Sequence, residues 1–136
     1  MKYFFDTNTV SALLKGNEKV VSRLLDKSRT DVMLPGPVVA EICYGLARLP
    51  KSKRKTSLEK RWSLISGELF RAEWTEEVSE WFGRIKASLE KRGQRLEDFD
   101  IAIAAHAMAQ KAVLVSTDYA HMKRIQGLKI EDWSHD

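Results

Sequence analysis

Residues 101–109, IAIAAHAMA, carry no charge and a single polar side chain, so the run reads as a buried helix. Directly ahead of it stand three carboxylates, Glu97, Asp98 and Asp100. A helix mouth has room for one as a cap, because a side-chain oxygen there satisfies backbone N–H groups that lack partners in the first turn, and Asp98 fits that role. A second, Glu97 or Asp100, gains from the positive end of the helix dipole. The third carboxylate is left without a local reason.

The 136 residues suit one domain, 1–136, with a core large enough to need neither disulfides nor a structural metal. There is one cysteine, Cys43, and the apolar start MKYFF stops at Asp6 before a signal-peptide core can form, so a reducing cytoplasm is expected. No stretch reaches the ~18 apolar residues of a membrane-spanning helix. Lysine and arginine number 23 against 19 acids, a net charge of +4, which is compatible with a polyanionic partner. The basic residues concentrate in LPKSKRKTSLEKR, Leu49 to Arg61, six against one acid. That run reads equally as a solvated helix face or as a phosphate-contacting surface.

Strand and helix signals alternate along the chain. KYFF, Lys2–Phe5, ends in the capping cluster DTNT, where a helix containing Val10, Leu13 and Leu14 should start. Val20, Val21, Leu24 and Leu25 form a second periodic patch, and VML, Val32–Leu34, a second strand closed by PGP. From Val38 the pattern is helical until Pro50. Leu58, Trp62 and Ile65 mark another helix; LFRAEW, Leu69–Trp74, suits a strand; Val78, Trp81, Phe82, Ile85 and Leu89 form a further stripe that Gly93 ends. AVLVS, Ala112–Ser116, and LKI, Leu128–Ile130, supply the last strands. The predicted class is α/β, a short and mainly parallel central sheet flanked by helices on both faces. Ligands of such sheets bind beyond the carboxyl ends of the strands.

Two acids stand where that rule points: Asp6 directly follows the first strand, and Asp118 follows the AVLVS strand by two residues. Glu41, the sole acid of its helix, lies at the border of an apolar stripe beside Val38 and Gly45. Asp100 shares a helix face with Ala104 and Ala107. Singly, each is explained as a boundary charge or a cap. Four carboxylates in one crevice would drive protons onto one another unless a cation neutralised them. Oxygen-only ligation without His or Cys favours Mg²⁺, with Mn²⁺ as substitute.

FFDTNTVSALL, PVVAEICYGL, DFDIAIAAHAMA and LVSTDYAHMKRIQGLKIEDW, in that order and spacing, resemble the motifs of PIN-domain ribonucleases, specifically the VapC and FitB toxins of bacterial toxin–antitoxin pairs. The resemblance implies Asp6, Glu41, Asp100 and Asp118 as catalytic, metal-holding acids. It leaves Asp98 as the cap and Glu97 as a solvated neighbour. Thr7 and Asn8 would orient Asp6 or a water; Thr117 resembles the hydroxyl found in the family's crevice; His121, one turn past Asp118, is a candidate second-layer residue, with a surface histidine as the simpler reading. PGP departs from the serine or threonine cap common in relatives.

The implied activity is a Mg²⁺-dependent endoribonuclease that cuts tRNA or another structured RNA, inhibits translation, and leaves 5′-phosphate and 3′-hydroxyl ends. Implied partners are the RNA, a VapB-like antitoxin whose tail blocks the crevice, and a second copy in a homodimer or higher assembly. Basic rim candidates are Lys51 to Lys55 with Lys123 and Arg124. Two rivals remain. An aspartyl-phosphate phosphatase wants an acid two residues after its first aspartate, where this chain has Asn8. A catalytically inactive PIN-fold protein that binds nucleic acid or regulates would need no metal, against which the four acids argue.

Overall fold

In the computed structural model, which describes residues 1–135, five short strands form one sheet in the order β3-β2-β1-β4-β5, with every neighbouring pair parallel. The strands are β1 (Tyr3–Phe5), β2 (Val32–Pro35), β3 (Phe70–Ala72), β4 (Val113–Val115) and β5 (Lys129–Glu131). Parallel pairing requires crossovers, and helices fill them: α1 (Thr7–Leu14) and α2 (Glu18–Leu25) after β1, α3 (Gly36–Ala47) and α4 (Lys53–Glu68) after β2, α5 (Glu76–Lys91) and α6 (Asp98–Ala109) after β3, and α7 (Tyr119–Met122) after β4. The α/β class with a parallel sheet between helices is as the sequence predicts. The expected Leu69–Trp74 strand shrinks to three residues at the sheet edge.

Central β1 is fully enclosed at Phe4 and Phe5. Tyr3 and Phe5 share one face, and both rings lie 5.3 Å from that of the buried Trp133. On the sheet's other elements, α6 behaves as its composition demands. Ile101 to Ala107 are all buried, and the helix packs against β1, β4, α3 and α5. Its alanines let these neighbours approach closely, which is how an all-round apolar helix is accommodated without a large core.

Helix starts follow the capping residues. Asp6, Asn17, Ser52 and Thr75 each accept a backbone N–H from the first turn of α1, α2, α4 and α5. PGP replaces such a cap in α3: Pro35 occupies the cap position and Pro37 the first turn, where a missing N–H costs nothing. That helix therefore begins two residues before Val38. Gly93, at φ +66°, ends α5 as expected. The cap of α6 departs from expectation. Glu97 holds the cap position without a side-chain bond, and Asp98 is the first helical residue, its carboxylate turned to Lys86 of α5 at 3.0 Å. A basic side chain across the helix pair outcompetes the local N–H groups.

Among the described residues no helix is long and apolar enough to cross a membrane.

Candidate active site

The chain builds β2 and β3 on one side of β1, then returns to place β4 and β5 on the other, so the strand order reverses between β1 and β4. At such a switch point the following loops part and leave a crevice. Phe5 is in register with Val115. The residues just beyond, Asp6 and Ser116, consequently sit side by side at the crevice floor.

Asp6 is held on several sides. Its N–H donates to Val115 O at 3.1 Å, and its Oδ1 accepts from Thr9 N–H at 2.8 Å. The Thr9 hydroxyl donates to the same Val115 carbonyl at 2.7 Å, tying the start of α1 to the end of β4. Only 4% of Asp6 is exposed, and burial pushes its carboxyl above the ordinary range, with the Asp118 charge adding to this and bonds from Ser116 and Thr9 opposing it.

Asp100 enters from the first turn of α6, half-buried, and its carboxyl is pushed up to about 6. Burial is the largest cause; the charges of Glu41, Asp118, Asp6 and Glu97 follow. The three other sequence-predicted acids therefore all act on Asp100 in this crevice, although the four come from α1's cap, α3, α6 and α7's cap. Their side chains do not crowd together: Glu41 accepts the Thr7 hydroxyl, Asp6 is taken by Thr9 and Ser116, and Asp118 faces His121 Nδ1 at 2.8 Å. Among the described residues no three His, Cys, Asp or Glu side chains are yet close enough to hold one ion.

The surrounding residues divide in ways the sequence did not decide. Thr7 holds Glu41 rather than Asp6, because the first turn of α1 faces α3. Asn8 and Thr117 are exposed, as is Asp98. The crevice hydroxyl belongs instead to Ser116, fully buried, which accepts from Asp118 N–H at 3.0 Å and bonds Asp6. Its signal in the sequence is positional: Ser116 follows β4 as Asp6 follows β1, which becomes visible once the two strands are placed in register. Thr9 was likewise missed; a hydroxyl three residues past a capping aspartate is its only local mark. His106 is buried in α6 with Nδ1 on Ala102 O at 2.8 Å and lies edge-on to Trp74, away from the acids.

The PIN domain family matches residues 3–128. Ribonuclease VapC2 of Rickettsia felis is 30% identical over 136 residues, spanning 98% of both chains, and the tRNA(fMet)-specific endonuclease VapC of Salmonella typhimurium is 24% identical over 98% of both. Among solved structures, VapBC2 from Rickettsia felis bound to a DNA fragment from its promoter superposes with a TM-score of 0.88 at 25% identity, covering 98% of this chain and 99% of that one. FitAcB from Neisseria gonorrhoeae gives 0.80 at 26% identity, covering 98% and 99%. A fold, a motif order and a full-length sequence match thus agree, and the chain belongs to the PIN-domain family, among its VapC-type ribonucleases.

Proposed function

We propose that the protein is a metal-dependent endoribonuclease, the toxin of a toxin–antitoxin pair, with Asp6, Glu41, Asp100 and Asp118 as its catalytic acids. The observation that carries this reading is the state of Asp100. Its carboxyl is driven to about 6 first by burial and then by the charges of Glu41, Asp118 and Asp6, so each of the other three acids acts on it. Such a set is unfavourable for the fold alone and fits a divalent cation, whose charge offsets the repulsion among the carboxylates. The all-oxygen donors favour Mg²⁺, with Mn²⁺ able to replace it.

When bound, the ion supplies an acidified water and charge neutralisation at the phosphate under attack. The chain's own residues do the remainder. Thr9 and Ser116 hold the Asp6 carboxylate in place, and Thr7 holds that of Glu41. His121 pairs with Asp118 at the rim, where it sets the orientation of that carboxylate. Basic side chains flank the mouth. Lys51, Lys53, Arg54 and Lys55 stand on the α4 side. On the other, Arg124 donates to Arg95 O at 3.1 Å and Arg92 to Arg124 O at 2.9 Å, ordering a guanidinium cluster beside Lys123. These hold the RNA backbone on each side of the cut in a salt-dependent manner.

Its inhibitor docks elsewhere. Leu24 and Leu25 of α2 and Leu64 and Ile65 of α4 line an apolar groove of about 460 Å³, with Leu25 78% and Leu64 73% exposed. The VapBC complexes that superpose on this chain support a VapB-like partner, and this exposed apolar groove is suited to an apolar segment of it, whose tail would reach the acids. A homodimer accompanies this assembly, in a reducing cytoplasm where the substrate, a tRNA or another structured RNA, is met.

The test is cleavage of a total tRNA pool by the antitoxin-free protein with Mg²⁺, with EDTA, and with Asp6→Asn. Discrete fragments that vanish in both controls support the reading. Fragments that persist in the Asp6→Asn protein would refute the site, and a folded protein that neither cleaves nor binds metal would refute the activity.

A further inference from the structure

Beside the acid crevice lies a cavity of about 280 Å³ between α1, α3 and α4. Its inner wall includes Thr7 and Glu41, so it opens directly onto the proposed site. Its outer wall is unlike that site. Lys15, Arg48 and Arg54 bring three positive charges, and Tyr44 stands 67% exposed with the Arg48 guanidinium 5.6 Å from its ring centre. Gly45 forms part of the lining. A Cβ there would meet no atom within 4 Å, so the absence of a side chain, rather than tight packing, keeps the cavity open. Leu14, Ile42, Leu46, Leu49 and Leu58 give the cavity an apolar floor, and this floor with an exposed ring and cations at the rim complements a nucleotide, whose base and phosphate need those two kinds of contact.

We propose that this cavity is a nucleotide subsite: Tyr44 stacks on an unpaired base next to the scissile phosphate, and Arg48, Arg54 and Lys15 hold the adjoining backbone phosphate. The proposal rests on the nuclease reading above and names the positioning residues that it lacks. Spacing supports it. Tyr44 lies one turn from Glu41 on α3 and Arg48 one turn beyond Tyr44, so the acid, ring and guanidinium follow one another along a single helix edge. A substrate strand leaving the acids along α3 meets them in that order. The structured RNA must therefore present at least one unpaired nucleotide beside its cut.

Cleavage of a total tRNA pool with Mg²⁺ is compared for the native protein, Tyr44→Ala, Tyr44→Phe and Arg48→Ala, with binding of single-stranded decauridylate and an abasic ribose-phosphate decamer measured in an Asp100→Asn background. Stacking of one base is worth roughly 5- to 100-fold in affinity. Tyr44→Ala is expected to raise KM by about that factor with kcat little changed, and to lose the preference for decauridylate over the abasic strand. Tyr44→Phe should keep both. Arg48→Ala should reduce the slope of log affinity against log salt by about one. Gly45→Met, which fills the cavity, should lose affinity without losing its melting transition.

Unchanged KM in Tyr44→Ala, or equal losses in Tyr44→Phe and Tyr44→Ala, would overturn the stacking role. Full affinity in Gly45→Met would overturn the subsite. Failure of the nuclease reading has a separate signature: native protein that never cleaves, yet discriminates decauridylate from the abasic strand through Tyr44, keeps the subsite and discards the catalysis.

Discussion

Helices α4 and α6 differ in almost every respect that matters to this protein. α6 has seven consecutive buried residues and touches two strands and two helices; α4 is longer, sixteen residues, and has none. α6 carries acids at its head and no cation on its body, whereas α4 opens with Lys53, Arg54 and Lys55. Its attachments are peripheral, such as Arg61 donating to Leu14 O at 2.8 Å and Lys55 Nζ to Leu49 O at 3.2 Å. The contrast teaches a division of labour. A helix enclosed over its central turns is rigid enough to hold Asp100 at the crevice at an electrostatic cost, while a helix lying on the surface is free to present charge and apolar area to partners.

The largest effect expected from breaking this contrast is on catalysis. Asp100→Asn should lower RNA cleavage on the order of 10²–10³-fold, as loss of a group that stabilises charge at the reacting phosphate does, while the same substitution of exposed Asp98, paired only with Lys86, should leave the rate within a few-fold. Rates on the same tRNA pool decide it. Equal losses would show that the head of α6 acts as a block and not through one carboxylate.

Packing gives the next effect. Ile103→Ala, at a side chain 1% exposed, should cost about 2–5 kcal/mol in chemical denaturation. Leu64 of α4 is the matched control at 73% exposure, and Leu64→Asp should change stability by no more than about 0.5 kcal/mol while abolishing capture of the antitoxin. Comparable destabilisation at both positions would remove the distinction between the two helices.

A smaller effect concerns pH. Asp100 holds its proton more tightly in the folded chain, about 6 against 3.8 for an unperturbed aspartate. Without metal the folded state thus binds the extra proton between those values, and its stability should fall as pH rises from about 4 to about 6, then level off. After discounting for solvent screening the loss is roughly 1–2 kcal/mol. Asp100→Asn should flatten this slope, so the variant with the poorest activity should be the more stable metal-free protein at pH 7. Melting temperatures across pH 4–7 with EDTA would show it, and a native profile that rises over this range would contradict it. The smallest effect expected is at Thr9→Val, which removes the hydroxyl that donates to Val115 O and should cost about 1 kcal/mol.

Much of this was legible in the residues, and for local reasons. An uninterrupted apolar stretch such as Ile101–Ala107 can be stable only when enclosed, and acids placed directly after apolar strands, as Asp6 is, are carried to the end of a parallel sheet by chain geometry alone. Short-range competition was legible too, in the caps at Asn17, Ser52 and Thr75. What the sequence left open depended on partners distant along the chain. Asp98 turns to Lys86 instead of capping because α5 packs against α6. Ser116 rather than Thr117 shares the crevice because β4 lies in register with β1, and Thr7 meets Glu41 because α1 crosses α3. Motif order alone singled out the four acids as one set. The upward push on Asp100 by burial and its three neighbours, and the cationic aromatic cavity that opens beside them, exist only once elements far apart in sequence are packed within the range of a Coulomb field and a hydrogen bond.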